Sequence, residues 1–425
     1  MSDSLQNNLH RRVAIIDPFS SADYLVNTLN QLGFEVIAVI NSKCFIWKKE
    51  DLGAYFNPNL YTHIINFDPE KMSLETLAEN LSSLKVDYIF SGTDDYASVR
   101  LTDELNQFLK MPYGNNPDTA EWRTNKYEMQ QKLIENKLTD FKQMLIKHGT
   151  LTDAQLIELK NWDFPAILKP VNEFGSMGVK IIHEIADIQN YLNTKVDKSQ
   201  QNKANFVLQE LLTGTEYLVD SFSANGETII ITVQCYKKIN HNNFPVYRYV
   251  EFVSPESEEF KICSDFVKKV LKSIDLKNGF AHTELFLTET GPKLIEVNPR
   301  ISGAAGFINK MTQECLDLSQ PKALADFLID NQLSQSPLKH KKYGRIAIVN
   351  NWKKQYKIQE LKVEKFSQLS SYCEHLVLKS VGTLMDEPKT LFDSVVYILL
   401  TNENLEQLLK DYETLTELEM NHELF

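Results

Sequence analysis

The sequence predicts a mixed α/β and α+β protein in three parts. Three observations carry this reading. Residues 12–112 alternate apolar strand-like runs with helical periods, the pattern of a parallel α/β sheet. Residues 114–330 carry hairpins of alternating character around glycine-bearing turns. Past a polar, turn-rich junction at 331–337, strand runs return at 345–350 and 395–400, and an acidic helix closes the chain. The expected boundaries are 1–113, 114–330 and 331–425.

In the first part, Arg12-Val13-Ala14-Ile15-Ile16 is an apolar strand ending at Asp17-Pro18. Leu25, Leu29 and Leu32 share one helical face, and Gly33 stops that helix. Residues 34–40, 62–66 and 86–90 read as further strands. The turn Asp17-Pro18-Phe19-Ser20-Ser21 has no GxGxxG, which argues against a nicotinamide or flavin cofactor. Ser91-Gly92-Thr93-Asp94-Asp95 falls at a strand's C-terminal end, where open sheets bind ligands; a helix cap by Thr93 or Asp94 is the other reading. The Asn115-Asn116-Pro117-Asp118 turn then precedes a polar helix through Lys126 and Leu133.

Composition narrows the function classes. The 425 residues are 43% hydrophobic and 24% charged, as in ordinary globular proteins. The net charge of −12 disfavours general nucleic-acid binding, so an anionic substrate must meet local positive charge or a metal ion. Residues 1–12 have no apolar core of a secretory signal, and no run is long enough for a membrane span. The five cysteines are scattered without a CxxC, which fits reduced thiols in a cytoplasm.

The chemistry concentrates between residues 161 and 330. Phe164-Pro165-Ala166-Ile167-Leu168-Lys169-Pro170 is a short apolar strand ending in a lysine, and Gly175 and Gly178 punctuate the following turn. Such a turn can present successive N–H groups to an anion, although no Walker A pattern is present. Phe206-Val207-Leu208-Gln209-Glu210 is a further strand, followed by a Thr213-Gly214 turn and Glu216. Its edge suits an adenine ring and Glu216 a ribose; a surface turn with solvated glutamates is the alternative. Residues 283–300 read as a hairpin turning at Thr290-Gly291-Pro292. Side chains alternate with period two, and a turn centred on Thr290 sets Glu284 opposite Glu296, with Asn298 on the same face and no lysine expected nearby. Two carboxylates and an amide oxygen form a hard-oxygen cluster suited to magnesium. Arg300 follows and can clamp a phosphate or carboxylate. His282 falls on the same face, either lining the site or bonded to backbone. Gly303 and Gly306 either offer N–H groups to a substrate carboxylate or loosen a helix start. Tyr247 and Arg248 are weaker candidates for the substrate pocket.

Lysine strand, glycine hairpin, Gln-Glu hinge and Glu…Glu-x-Asn hairpin, in that order, resemble the ATP-grasp superfamily over about residues 113–310. Lys-Pro-x5-Ser-x-Gly-Val and Glu-Val-Asn-Pro-Arg resemble its carboxylate–amine ligase branch, especially the bacterial L-amino-acid ligases that make dipeptides. The resemblance implies an ATP-grasp fold of two α+β subdomains over 114–330, with a lid at about 140–205, a preceding α/β domain and a C-terminal α+β subdomain. It implies an ADP-forming ligase that joins a carboxylate to an amine through an acyl phosphate, with ATP and Mg2+ (or Mn2+). An ATP-grasp carboxylase or formate-using enzyme, and a non-catalytic ATP-binding regulator, are the alternatives. By position, Lys126 and Lys169 match the nucleotide lysines. Ser176, Met177 and Gly178 match the flap over the phosphates, Gln209, Glu210 and Leu212 the adenine hinge, and Glu216 the ribose acid. Glu284, Glu296 and Asn298 match the metal ligands, and Arg300, with Lys169, the catalytic cations. The expected partners are small carboxylates and amines, probable amino acids by resemblance, with no nucleic acid or membrane; a homodimer stays open. The segment Leu138-Thr139-Asp140-Phe141 lacks the family's usual proline-bearing strand, which leaves the lid's start undefined.

Overall fold

Residues 11–48, 56–172, 178–195, 205–242, 244–334 and 336–425 are described by a computed structural model. The first apolar run forms β1 (Arg12–Ile16), and the amphipathic segment after it forms α1 (Ala22–Gln31). Then come β2 (Glu35–Asn41), β3 (His63–Phe67), α2 (Leu74–Ser83), β4 (Tyr88–Ser91) and α3 (Tyr96–Phe108). The four strands are parallel in the order β3-β2-β1-β4. The order reverses between β1 and β4, so the loops after these two strands flank the crevice where open sheets receive ligands. Gly92 allows their contact: a Cβ there would lie 2.6 Å from the Asp17 carbonyl oxygen.

Two short helices, α4 (Ala120–Thr124) and α5 (Lys126–Glu135), lead into the second part. A small layer follows: β5 (Gln143–Ile146), α6 (Asp153–Leu159), β6 (Ala166–Pro170), β7 (Lys180–Ile182), α7 (Ile185–Lys195) and β8 (Phe206–Glu210). Its strands run antiparallel in the order β5-β8-β6-β7 over a core that includes Trp162, Leu168 and Ile188.

The third layer is a large sheet. It starts with β9 (Thr215–Ala224), β10 (Glu227–His241), β11 (Phe244–Val253), helix α8 (Glu258–Ser273), β12 (Gly279–Thr288) and β13 (Gly291–Asn298). Helices α9 (Phe307–Leu316) and α10 (Gln320–Asp330) intervene. Then follow β14 (Tyr343–Asn350), β15 (Tyr356–Lys357), β16 (Tyr372–Val377), β17 (Leu384–Met385), β18 (Ser394–Asn402) and α11 (Leu405–Met420). The sheet order is β13-β12-β9-β10-β11-β14-β18-β16, so it runs through the boundary expected at residue 331. That position is a junction in the chain but not in the sheet, because β11 pairs with β14.

Apolar faces hold the layers together. Val267, Val270 and Leu271 of α8 pack on Val219, Val233, Ala281 and Leu285 of the large sheet. The first sheet shares a core with the large one, in which Val13, Leu29 and Phe90 meet Phe222, Phe280 and Leu324. Burying a large apolar side chain contributes about 1.5–3 kcal/mol, so this shared core fixes the first sheet's loops against the hairpin of acids.

Candidate active site

The site begins with the β12–β13 register. Glu284 pairs with Glu296 and His282 with Asn298, as period-two alternation requires. The pairing then jumps to Leu285 and Leu294, leaving Ile295 as an extra residue. Such a bulge re-aims neighbouring side chains. The side chains of Glu284 and Glu296 are 25% and 15% exposed. Burial, then the charge of Glu296, holds the Glu284 carboxyl above its usual range. Burial also works against Glu296, but the ammonium groups of Lys126 and Lys169 outweigh it and hold that carboxyl low.

Lys126 is the first residue of α5, whose start is capped by the Asn125 side chain. Its Nζ lies 2.9 Å from Glu296 Oε2. The expectation that this face has no lysine partner is therefore corrected: helix and hairpin meet in space, and strand alternation alone does not report what packs against a strand. Burial disfavours the Lys126 charge, but Glu296 more than offsets this and raises its pKa. Lys169 comes from β6 of the small layer. Burial and then the neighbouring Lys126 lower its pKa to about 8, against the pull of Glu296 and Glu284. No ion pair holds Lys169 among the described residues.

His282 is bonded to a side chain instead of backbone: its Nδ1 lies 2.7 Å from Asp220 Oδ1 on β9. Its Nε2 lies 3.7 Å from Glu284 Oε1. Burial would lower the His282 pKa, yet the Asp220 carboxylate outweighs it and raises it. The Asn298 amide nitrogen turns toward the His282 carbonyl, 3.4 Å away. Among the described residues no three His, Cys, Asp or Glu side chains converge as a preformed cage. The fit to a metal rests on the donors: two opposed carboxylates and an amide oxygen, all hard ligands of the kind that hold magnesium beside substrate phosphates. Opposed like charges are costly, and a divalent cation between them offsets that cost.

The hinge residues lie at the end of β8. Gln209 is buried and donates to Gln143 Oε1 at 3.2 Å, while the Glu210 N–H donates to the Lys142 carbonyl. Leu212 follows in the connection to β9. Glu216 pairs with Lys238, 2.5 Å away, and that ammonium also sits 4.1 Å from the Tyr247 ring. Tyr247 therefore faces the Glu216 side of the sheet. Arg248 does not reach the site. A register shift turns it to Glu419 on α11, which it grips with contacts of 2.8 and 2.7 Å. Of the flap residues, Ser176 and Met177 lie outside the described residues. Gly178 is described with φ +69, and its carbonyl accepts the Tyr191 hydroxyl.

Arg300 reaches across the molecule. Its Nε donates to Asp94 Oδ2 at 2.9 Å and its Nη1 to the Ile301 carbonyl at 3.0 Å. Asp94 belongs to the loop after β4. The cap of α3 is Asp95, whose Oδ1 accepts the Ala97 N–H, so neither Thr93 nor Asp94 is the cap. Gly303 lies beside Arg300, with open space where a Cβ would stand. Gly306 is a correction: its N–H donates to Ser21 Oγ at 2.9 Å and is spent holding α1's loop. A cleft runs between the parts, lined by Phe45, Thr93, Asp94, Lys126, Asn172, Glu296 and Asn298 among others. Asp220 and Lys238 went unforeseen. Alternation along β9 from Glu216 was a usable signal for Asp220; nothing local marked Lys238.

Residues 162–307 match the family described as the ATP-grasp domain. Dapdiamide A synthase from Enterobacter agglomerans is 27% identical over 328 residues, covering 75% of this chain and 73% of that protein. The crystal structure of L-amino acid ligase from Bacillus licheniformis superposes with a TM-score of 0.74 at 16% identity, covering 96% and 97% of the two chains. N5-carboxyaminoimidazole synthase from Aspergillus clavatus, in complex with ADP and its aminoimidazole ribonucleotide, gives a TM-score of 0.68 at 14% identity, covering 97% and 100%.

Proposed function

The chain is a member of the ATP-grasp superfamily, in its carboxylate–amine ligase branch, and from that premise we propose that it joins free L-amino acids through an acyl phosphate. The observation that carries the proposal is the in-register opposition of Glu284 and Glu296, with lysines from two other layers closing on it. ATP would lie between the small layer and the large sheet. Glu210 and Leu212 would meet the adenine edge and Glu216 a ribose hydroxyl, which requires Lys238 to yield. Lys126 and Lys169 would neutralise phosphate oxygens. The lowered pKa of Lys169 reflects burial beside another cation, and an arriving polyphosphate would restore its full charge. Glu284, Glu296 and Asn298 would hold magnesium, which would offset the charge of the terminal phosphates.

A carboxylate oxygen of the first substrate attacks the γ-phosphorus, and ADP leaves. The deprotonated amine of the second attacks the acyl carbon, and phosphate leaves with the carboxylate oxygen. Arg300 steadies charge on the transferring group. Closure of the small layer excludes water, which would hydrolyse the acyl phosphate. Small-molecule substrates in a cytoplasm fit this chemistry, and no helix among the described residues is long and apolar enough to cross a membrane.

The test is product analysis. Protein with ATP, magnesium and mixed L-amino acids should release ADP and phosphate and form a condensed product visible by mass. ADP release should rise when an amine-bearing second substrate joins the first. AMP release would rule out the acyl-phosphate route. ADP release driven only by bicarbonate would favour a carboxylase, and ATP binding without turnover a regulator.

A further inference from the structure

We propose that the Arg300–Asp94 ion pair occupies the place of a zwitterionic substrate, and that Asp94 receives the α-ammonium of the amino acid whose carboxylate is activated. This rests on the ligase reading and adds the residue that would select an amino acid over a simple carboxylic acid. Four observations support it. First, Asp94 does not cap α3, which Asp95 does, and among the described residues its one hydrogen bond besides Arg300 is a 3.4 Å contact from Thr93 Oγ1. Second, Asp94 stands on the loop after β4, at the reversal of strand order where open sheets receive ligands. Third, its partner is two residues past Asn298, and the Arg300 charge acts on both Glu284 and His282, so the pair abuts the proposed metal face. Fourth, Asp94 lines the cleft that Asn298, Lys126 and Phe45 also line.

The exchange conserves charge. A bound amino acid presents a carboxylate to Arg300 in place of Asp94, and an ammonium to Asp94 in place of Arg300. Each buried charge keeps an opposite partner, so the desolvation that normally opposes charged ligands is already met in the free protein. A carboxylic acid without the amine would take Arg300 from Asp94 and put no cation in its place, leaving Asp94 only the more distant pull of Lys126. Phe45, partly buried at the cleft wall, would face the substrate side chain, which favours apolar amino acids.

The experiment uses the full chain with ADP and magnesium. Binding is measured by calorimetry for L-alanine, L-leucine and L-phenylalanine, and for propanoate, 4-methylpentanoate and 3-phenylpropanoate. Wild type should prefer at least one amino acid over its des-amino partner by about 10- to 100-fold, the range of a charge-assisted hydrogen bond. Asp94→Asn should erase that preference, weakening the amino acids while the des-amino acids bind as tightly as to wild type or more tightly. If Asp94 only steadies Arg300, Asp94→Asn weakens both members of each pair alike, and the proposal is overturned. A wild type indifferent to the amine overturns it too, even if the variant does not fold. ADP release on the same pairs separates the two readings. An Asp94-dependent preference without turnover sinks the ligase and leaves the ammonium site standing; turnover without preference does the reverse.

Discussion

Glu296→Gln is the sharpest probe of the site, because the structure predicts unequal effects on stability and turnover. The side chain sits 2.9 Å from Lys126, with the two 15% and 14% exposed. At an effective dielectric of about 20, the gross attraction is about 6 kcal/mol. Desolvation offsets much of that, and breaking a buried pair outright costs about 3–5 kcal/mol. The amide still accepts a hydrogen bond from the ammonium, so the expected loss is about 1–3 kcal/mol. A melting temperature lower by only a few degrees is expected, since about 2–4 °C accompanies each kcal/mol in domains smaller than this chain. Turnover should fall about 100- to 1000-fold, the scale of removing one group that stabilises transition-state charge. The assay is coupled ADP release at saturating magnesium, beside a thermal melt of the same preparation. Lys126→Gln should cost similar stability and raise the KM for ATP. Glu296→Gln turning over within about threefold of wild type at saturating magnesium would refute the metal assignment, whatever the melt shows.

Gly178→Val should harm turnover more than folding. Its φ of +69 excludes a branched side chain, and a Cβ would press on Pro170 and Tyr191 at 3.0–3.1 Å. If an ATP analogue with magnesium does not slow protease cleavage between residues 172 and 178, the phosphate-flap reading fails. Asp17 is fully buried, and burial raises its pKa from 3.8 to about 6, against hydrogen bonds from Ser98, Asn41 and Trp47. A raised acid favours the folded state below pH 3.8 and loses that advantage as pH rises through 6, about 3 kcal/mol in all. The melting temperature of wild type should therefore fall relative to Asp17→Asn between pH 4 and 7; a constant difference would contradict this. Arg248→Met leaves Glu419 buried among Asn350 and Trp352 donors, and should lower the melting temperature while the KM for ATP stays near wild type. A changed KM would show that the C-terminal layer reaches the site.

Much of the site was legible because its signals are local. Two strands joined by a tight turn bring both acids into one hairpin, but counting from Thr288 opposite Gly291 would set Glu284 opposite Ile295, and the bulge at Ile295 is what brings it opposite Glu296. The α/β opening was legible for the same reason, and observed strand ends fall within two residues of those expected. The Lys126–Glu296 contact spans 170 positions and the Arg300–Asp94 contact 206, distances over which no periodicity operates. Gly306 shows the same limit: its glycine signalled a special backbone, but not that Ser21 would take its N–H.

The sequence by itself determined the kind of chemistry. It set the residue types, the order of lysine strand, hinge and acidic hairpin, and the face each side chain takes within its own strand. Only the tertiary structure decided which charges meet. It aligned β14, β16 and β18 into one sheet with the acidic hairpin and brought Asp94 to Arg300. The reason is physical: alternation and turn geometry act over a few residues, whereas ion pairs between layers depend on how apolar faces such as Phe90 on Phe280 and Phe222 bury one another.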